Sequence, residues 1–209
     1  MEEKLKSLSY FTQSNDKIIS IEKLSGGQQN INYKVTTENN KKFVCRIPGI
    51  DANEHGQIHK IVFNNSQFAH SQLKIAPYAC FFDESSGIIV TEFIDGDTLN
   101  VSVLSETPEL LDQVINVIRS YHNVYSHNGF ITSKASDVLF GYDVSLLEGW
   151  CTNKELEKTK KLQWLLNSSL GKFDALVNCH NDLTPANVIK TSNGKIRLLF
   201  VNIFGFRII

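Results

Sequence analysis

The stretch His180-Asn181-Asp182-Leu183-Thr184-Pro185-Ala186-Asn187 decides how this chain is read. Immediately after it come Val188-Ile189-Lys190, an Asn193-Gly194 pair and the run Lys195 to Val201, which together predict a β-hairpin. The octet is therefore a loop that ends where a hairpin begins. A carboxylate at Asp182 is able to orient a hydroxyl and accept its proton, and a side-chain amide oxygen at Asn187 is able to hold Mg²⁺ beside phosphate groups, a pair that phosphoryl transfer requires. The same residues also describe a plain Asp-Leu-Thr-Pro turn in which Asp182 and Asn187 cap backbone groups. On the octet alone both readings stay open.

Working outward, residues 17–47 show short β-type runs broken by turn residues. Ile18 to Leu24, Ile31 to Thr37 and Lys42 to Ile47 are separated by Ser25-Gly26-Gly27 and by Glu38-Asn39-Asn40. Asp51 to Leu73 lacks turn signals and is expected to be helical. Ile75-Ala76-Pro77 then leads into two further strands, Tyr78 to Phe82 and Ile88 to Ile94, and an Asp95-Gly96-Asp97 turn follows. Beyond it the period changes: Leu110, Leu111, Val114, Ile115 and Ile118 lie at helical spacing within Pro108 to His122. Lys154 to Leu170 is a second helix, apolar around Leu162, Trp164, Leu165 and Leu166. The expected architecture is α+β and two-lobed. Residues 1–95 form a five-stranded antiparallel sheet with one helix, and residues 96–209 form an incomplete, mainly helical lobe.

Three features of the first lobe bear on chemistry. The paired glycines Gly26 and Gly27, between two strands, let the backbone approach a phosphate closely, although such a pair also makes an ordinary tight turn. In Phe43-Val44-Cys45-Arg46-Ile47 strand alternation places Phe43, Cys45 and Ile47 on one face and Arg46 on the other. There Arg46 is either a phosphate-binding cation or a solvated surface charge. Finally, Thr91-Glu92-Phe93-Ile94 runs from a buried strand into a turn at the place where the lobes would join.

With 21 basic and 22 acidic side chains the net charge is -1, so no general field draws nucleic acid or an anionic membrane. No stretch approaches the roughly 20 apolar residues that span a bilayer, and no apolar segment follows Met1 to Lys6 as in a signal peptide. A cytoplasmic protein without membrane insertion is expected. Cys45, Cys80, Cys151 and Cys179 are scattered, which reads as reduced thiols mostly buried in strands.

Taken in order, LSGGQQNINYKV, KFVCRIPG, IAPYACFF, GIIVTEFIDGDTL, a helix ending near SYHN and CHNDLTPANVIK resemble the choline/ethanolamine kinase family. That family belongs to the wider aminoglycoside phosphotransferase group of protein-kinase-like folds, and the resemblance runs from about Ile18 to Ile196. It implies ATP·Mg²⁺-dependent phosphorylation of a small alcohol, with choline or ethanolamine ahead of thiamine or an aminoglycoside. It also implies Gly26, Gly27 and Asn30 in a phosphate loop, Arg46 as the phosphate-contacting cation, Glu92, Phe93 and Ile94 as an adenine-reading hinge, Asp182 as catalytic base and Asn187 as metal ligand. The resemblance leaves the oligomeric state open.

Two departures from the family pattern stand out. The helix after the third strand carries an acid in the family, but here the corresponding turn reads Lys60-Ile61-Val62-Phe63-Asn64-Asn65, and Glu54 is the nearest candidate. After Leu199 the family has a Mg²⁺-chelating Asp, whereas this chain reads Phe200-Val201-Asn202-Ile203-Phe204 and an apolar tail. The abrupt change suggests a shifted reading frame or a degraded gene. It predicts little or no turnover, exposed apolar surface on the helical lobe, and, as an alternative role, a non-catalytic nucleotide-binding or partner-binding remnant. Trp150, Trp164, Tyr125 and Tyr142 could line a cationic-ligand pocket but are expected to serve as core.

Overall fold

The computed structural model describes residues 1–25, 30–49, 56–124, 152–170, 180 and 182–199. The chain divides into two compact units, one made of residues 1–117 and 182–201 and the other of residues 118–181 and 202–209.

The first unit is built on a five-stranded antiparallel sheet in the order β1-β2-β3-β5-β4. Its strands are β1 (Ile18–Lys23), β2 (Asn30–Thr37), β3 (Lys42–Pro48), β4 (Ala79–Asp83) and β5 (Ile88–Glu92). Alternation along β2 and β3 sorts the faces, because cross-strand partners share a side. Tyr33↔Cys45 and Val35↔Phe43 lie on one face; Asn32↔Arg46 and Lys34↔Val44 lie on the other.

The first face is covered by two short N-terminal helices that periodicity did not predict, α1 (Glu2–Lys6) and α2 (Ser9–Thr12). Leu5, Leu8 and Phe11 join Val35, Cys45, Ile47, Ile88 and Val90 in one buried cluster. Each such side chain contributes about 1.5–3 kcal/mol on burial, enough to hold helices too short to be stable alone. Burial also pushes the Cys45 thiol up to about 12, so Cys45 is an inert packing residue.

Asp16 ties this N-terminal segment to the β2–β3 turn. Its Oδ2 accepts from the Thr37 hydroxyl at 2.8 Å and its Oδ1 from the Asn39 N–H at 3.0 Å. Burial pushes the carboxyl up, but the hydrogen bonds from Asn39 and Thr37 outweigh it and hold the group below its ordinary value. A depressed folded-state pKa gives stability that is present above the unfolded value and lost as pH falls through the folded one. Asp16→Ala is therefore expected to melt at a lower temperature than the unaltered protein at pH 7. In thermal melts across pH, that gap should close as the pH drops below about 4; a gap that is the same at pH 7 and pH 3 would rule out this role.

Helix α3 (Gly56–Leu73) packs beside β4 and β5, where Phe63 stacks on Phe82 at 5.8 Å and Gln67 Nε2 donates to the Ala79 carbonyl at 3.1 Å. The helix holds no acidic residue, and its Lys60 pairs at the surface with Glu84 at 2.6 Å. It ends at Lys74, whose φ of 55° is the left-handed conformation common after a helix C-terminus, with the Lys74 N–H on the His70 carbonyl at 3.0 Å.

The expected Asp95-Gly96-Asp97 turn is instead partly strand. Gly96–Thr98 forms β6, the edge of a second sheet ordered β6-β7-β8, with β7 at Val188–Thr191 and β8 at Ile196–Leu198. Three exposed polar residues carry no apolar alternation, so only their backbone pairing with β7 marks them. Gly96 is required there, because a Cβ would lie 2.5 Å from the Lys190 carbonyl oxygen. The hairpin β7–β8 agrees with the Asn193-Gly194 signal, with Gly194 at φ 77°.

Helix α4 (Val101–Glu106) is capped by Asn100, whose side chain accepts from the Val103 N–H at 2.9 Å. Helix α5 (Pro108–Asn123) buries Leu110, Val114 and Tyr121 but leaves Leu111 exposed. Helix α6 (Asn153–Leu170), in the second unit, buries Leu156 and exposes Leu162, Trp164 and Leu165. The core role expected of Trp164 is thus corrected: its apolar neighbours form an outward face. Trp150, Tyr125 and Tyr142 lie outside the described residues, as do Cys151, Cys179 and Glu54. No helix among the described residues is long and apolar enough to cross a membrane.

Candidate functional site

The loop from Asp182 to Asn187 is closed by its own backbone before any side chain is considered. Thr184 N–H donates to the Asp182 carbonyl at 2.9 Å, and Pro185–Asn187 forms a single 3₁₀ turn whose Asn187 N–H returns to the Thr184 carbonyl at 2.9 Å. The Asn187 carbonyl in turn accepts from Leu199 N–H at 2.8 Å, anchoring the loop to the end of β8. Pro185 presets the first φ of that turn.

Within this frame the two side chains meet. Asn187 Nδ2 donates to the Asp182 carbonyl at 2.8 Å and to Asp182 Oδ2 at 2.9 Å. Since the amide nitrogen is held by Asp182, Asn187 presents its Oδ1 as an acceptor. Asp182 itself is exposed. His180, which opens the octet, is buried.

Arg46 is the third member of the group. It lies on the face of β3 opposite the apolar cluster, in register with Asn32 on β2 and Ile89 on β5. It is not a solvated surface charge: its Nη1 is shut off from solvent. Burial pulls the guanidinium down to about 10, and the Asp182 carboxylate pulls the other way. At neutral pH the group is therefore charged, costly to bury and drawn toward Asp182.

Asn32 is a polar residue of this face that periodicity alone did not single out. It is only 8% exposed, and its Oδ1 is buried with no hydrogen-bond partner among the described residues. Asn30, the first residue of β2, likewise has a buried Oδ1 without a partner among them. Buried amide oxygens in that condition ask for a donor. Gly26 and Gly27, just upstream, lie outside the described residues.

Glu92, Phe93 and Ile94 carry the chain off the end of β5. Phe93 N–H donates to the Lys42 carbonyl at 3.0 Å, and its ring lies 5.2 Å from Lys34 Nζ and 5.9 Å from Lys42 Nζ, so two cations flank it. Lys42 is also paired with Asp95 at 2.9 Å. Among the described residues no cluster of three His, Cys, Asp or Glu side chains is placed to hold a metal.

The geometry is thus a sheet with a half-buried cation on the face opposite its apolar cluster, a strand-to-turn exit, and a carboxylate–amide loop ahead of a hairpin. The model of the phosphotransferase enzyme family matches residues 20–198, and the chain belongs to that family. No curated protein sequence matches it. Among solved structures it resembles a Plasmodium vivax ethanolamine kinase with a TM-score of 0.74 and 18% identity, over 96% of this chain and 61% of that one. It also resembles the choline kinase LicA from Streptococcus pneumoniae, with a TM-score of 0.69 and 23% identity over 96% of this chain and 66% of that one. The aminoglycoside phosphotransferase of a streptomycin–ATP–APH(2'')-IIa ternary complex gives a TM-score of 0.64 and 16% identity, covering 97% of this chain and 71% of that one. The fold is protein-kinase-like, and the chain spans under two thirds of the length of the ethanolamine and choline kinases it resembles.

Proposed function

We propose that this chain binds ATP with Mg²⁺ and is built for transfer of the γ-phosphate to the hydroxyl of a small alcohol, choline or ethanolamine first. The observation that carries the reading is the double hydrogen bond of Asn187 Nδ2 to Asp182, with the half-buried Arg46 cation drawn toward the same carboxylate. In this reading the lobes are residues 1–95 and 96–209, and Gly26, Gly27, Asn30 and Arg46 receive the phosphates. Glu92, Phe93 and Ile94 receive the base, Asp182 orients the alcohol and takes its proton, and Asn187 Oδ1 faces the metal. Mg²⁺ commonly takes one or two protein oxygens and completes its shell with phosphate and water, which suits this donor set. Bound there, the ion would neutralise charge on the phosphates. The protein is read as cytoplasmic, without nucleic-acid partners or membrane insertion.

A second reading, nucleotide binding without efficient transfer, draws on Phe200-Val201-Asn202, which stands where the family carries a chelating Asp. Losing one of two cooperating metal ligands should slow transfer by several orders of magnitude from the ~1–100 s⁻¹ of ordinary kinases. Calorimetric titration with Mg·ATP, paired with radiolabel transfer to choline, ethanolamine, thiamine and an aminoglycoside, separates these cases. Nucleotide binding with slow transfer is expected. Absence of any nucleotide binding would sink the reading as a whole, and transfer at ordinary kinase rates would sink the expected impairment.

A further inference from the structure

The ladder between β4 and β5 breaks its own pattern at the residue where the chain leaves the sheet. Ala79 lies opposite Thr91, so the next pair is Tyr78 with Glu92. Glu92 N–H donates to the Tyr78 carbonyl at 2.9 Å, and an antiparallel pair of that kind returns a second bond from Tyr78 N–H to the Glu92 carbonyl. Here that donor goes elsewhere: Tyr78 N–H donates to Glu92 Oε1 at 3.0 Å. His70 lies beside the carboxylate, its Nδ1 3.6 Å from Oε1 and donating to the Ala76 carbonyl at 3.0 Å, and its ring meets Tyr78 edge-on at 5.3 Å. An ionised acceptor outcompetes a neutral carbonyl for an N–H. The side chain thereby takes over the ladder bond that its own main chain would have made.

The Glu92 main-chain carbonyl is left without its ladder donor, and no described residue supplies another. Phe93 N–H is already committed to the Lys42 carbonyl, while Ile94 N–H has no partner among the described residues. An open acceptor at Glu92 and an open donor at Ile94, two residues apart, complement a base edge that has an amino donor beside a ring-nitrogen acceptor. Adenine has that edge. A base with a carbonyl in place of the amino group, and so with a proton on N1, would set acceptor against acceptor at Glu92 and donor against donor at Ile94.

Resting on the nucleotide-binding reading above, we propose that the Glu92 carboxylate is a positioning group that sets base choice. It holds Tyr78 N–H and so keeps the Glu92 main-chain carbonyl open for the amino group of adenine. Removing it returns the Tyr78 N–H to that carbonyl, where it competes with the amino group for the oxygen's lone pairs.

The test is titration of the full chain and its variants with Mg·ATP and with Mg·ITP, whose base carries a 6-carbonyl. The unaltered protein should prefer ATP by about tenfold or more, tenfold being the worth of the amino-group hydrogen bond alone. Glu92→Ala should weaken ATP by about that factor and narrow the preference, leaving the part that comes from Ile94 N–H, which meets a bare N1 in adenine and an N1–H in the hypoxanthine of ITP. Glu92→Gln keeps an acceptor oxygen and should keep the preference. If Glu92→Ala does not fold, Glu92→Met preserves bulk without an acceptor and takes its place. A preference undiminished in the acceptor-less variant, or parallel weakening of both nucleotides, overturns the proposal while leaving nucleotide binding intact. An unaltered protein that binds neither nucleotide overturns the reading beneath it as well.

Discussion

Phosphoryl transfer by Asp182→Asn is expected to fall about 10²–10⁴-fold below that of the unaltered chain, the usual range for loss of a positioned general base, with nucleotide affinity nearly unchanged. The substitution keeps shape and an acceptor oxygen, so Asn187 Nδ2 retains both of its bonds, to the Asp182 carbonyl at 2.8 Å and to the side chain at 2.9 Å. What disappears is a carboxylate able to take the proton of an attacking hydroxyl. Because the unaltered chain is itself expected to be slow, the comparison calls for single-turnover radiolabel transfer to choline and ethanolamine with protein in excess over nucleotide. Equal rates for the two proteins would remove Asp182 from the chemistry and leave it the plain turn-capping role that its sequence context also allows. A parallel loss of nucleotide binding would point to a collapsed loop instead.

How much of this was legible beforehand depends on whether a feature is local. The five strands of the first sheet announce themselves by alternation between turn residues, and the Asp182–Asn187 contact follows from a short loop with Pro185 at the head of a single turn. Alternation also assigned Arg46 its face. It could not assign the burial of Arg46, because that depends on what covers the face from elsewhere in the fold. The same holds for Asn32: a polar residue at a strand position opposite an apolar face reads as solvent-facing until its neighbours are known. Helices of four and five residues, α1 and α2, are too short for a period to show, and they are held by Leu5, Leu8 and Phe11 packing on a distant sheet. Strand β6 has no side-chain signature at all. The displaced ladder bond at Glu92 requires knowing that Tyr78 stands opposite it, a register no single segment encodes. On α6 the apolar run was visible, but its direction was not, and Leu162, Trp164 and Leu165 face solvent.

Arg46→Met should separate binding from stability, with effects of opposite sign. A guanidinium drawn down to about 10 in the folded protein is one whose burial cost exceeds the attraction of Asp182. For a base, a folded-state pKa below the unfolded value means the unfolded chain holds its proton more tightly. The penalty is then fully present at neutral pH and is relieved only as pH rises through about 10. A shift of this size is worth on the order of a few kcal/mol. Asp182 is exposed, so losing its partner does not strand a buried charge, the situation that makes broken ion pairs costly. Methionine fills much of the same space without the charge, and the ligand-free variant should melt no lower than the unaltered protein. Mg·ATP affinity should nonetheless fall about 100-fold, as expected when a largely desolvated cation is taken from an anionic ligand. The ATP-induced rise in melting temperature should shrink accordingly. Arg46→Lys, which keeps the charge but loses the planar fork, should fall between the two. Thermal melts with and without Mg·ATP read both quantities at once. A ligand-free variant that melts well below the unaltered protein would mean that Arg46 is chiefly a structural anchor, and an undiminished nucleotide shift would mean that the phosphates are held by other groups. A cation retained against its own folding cost, on the one face of the sheet that also carries buried amides without described partners, is what a site kept for an anionic ligand requires.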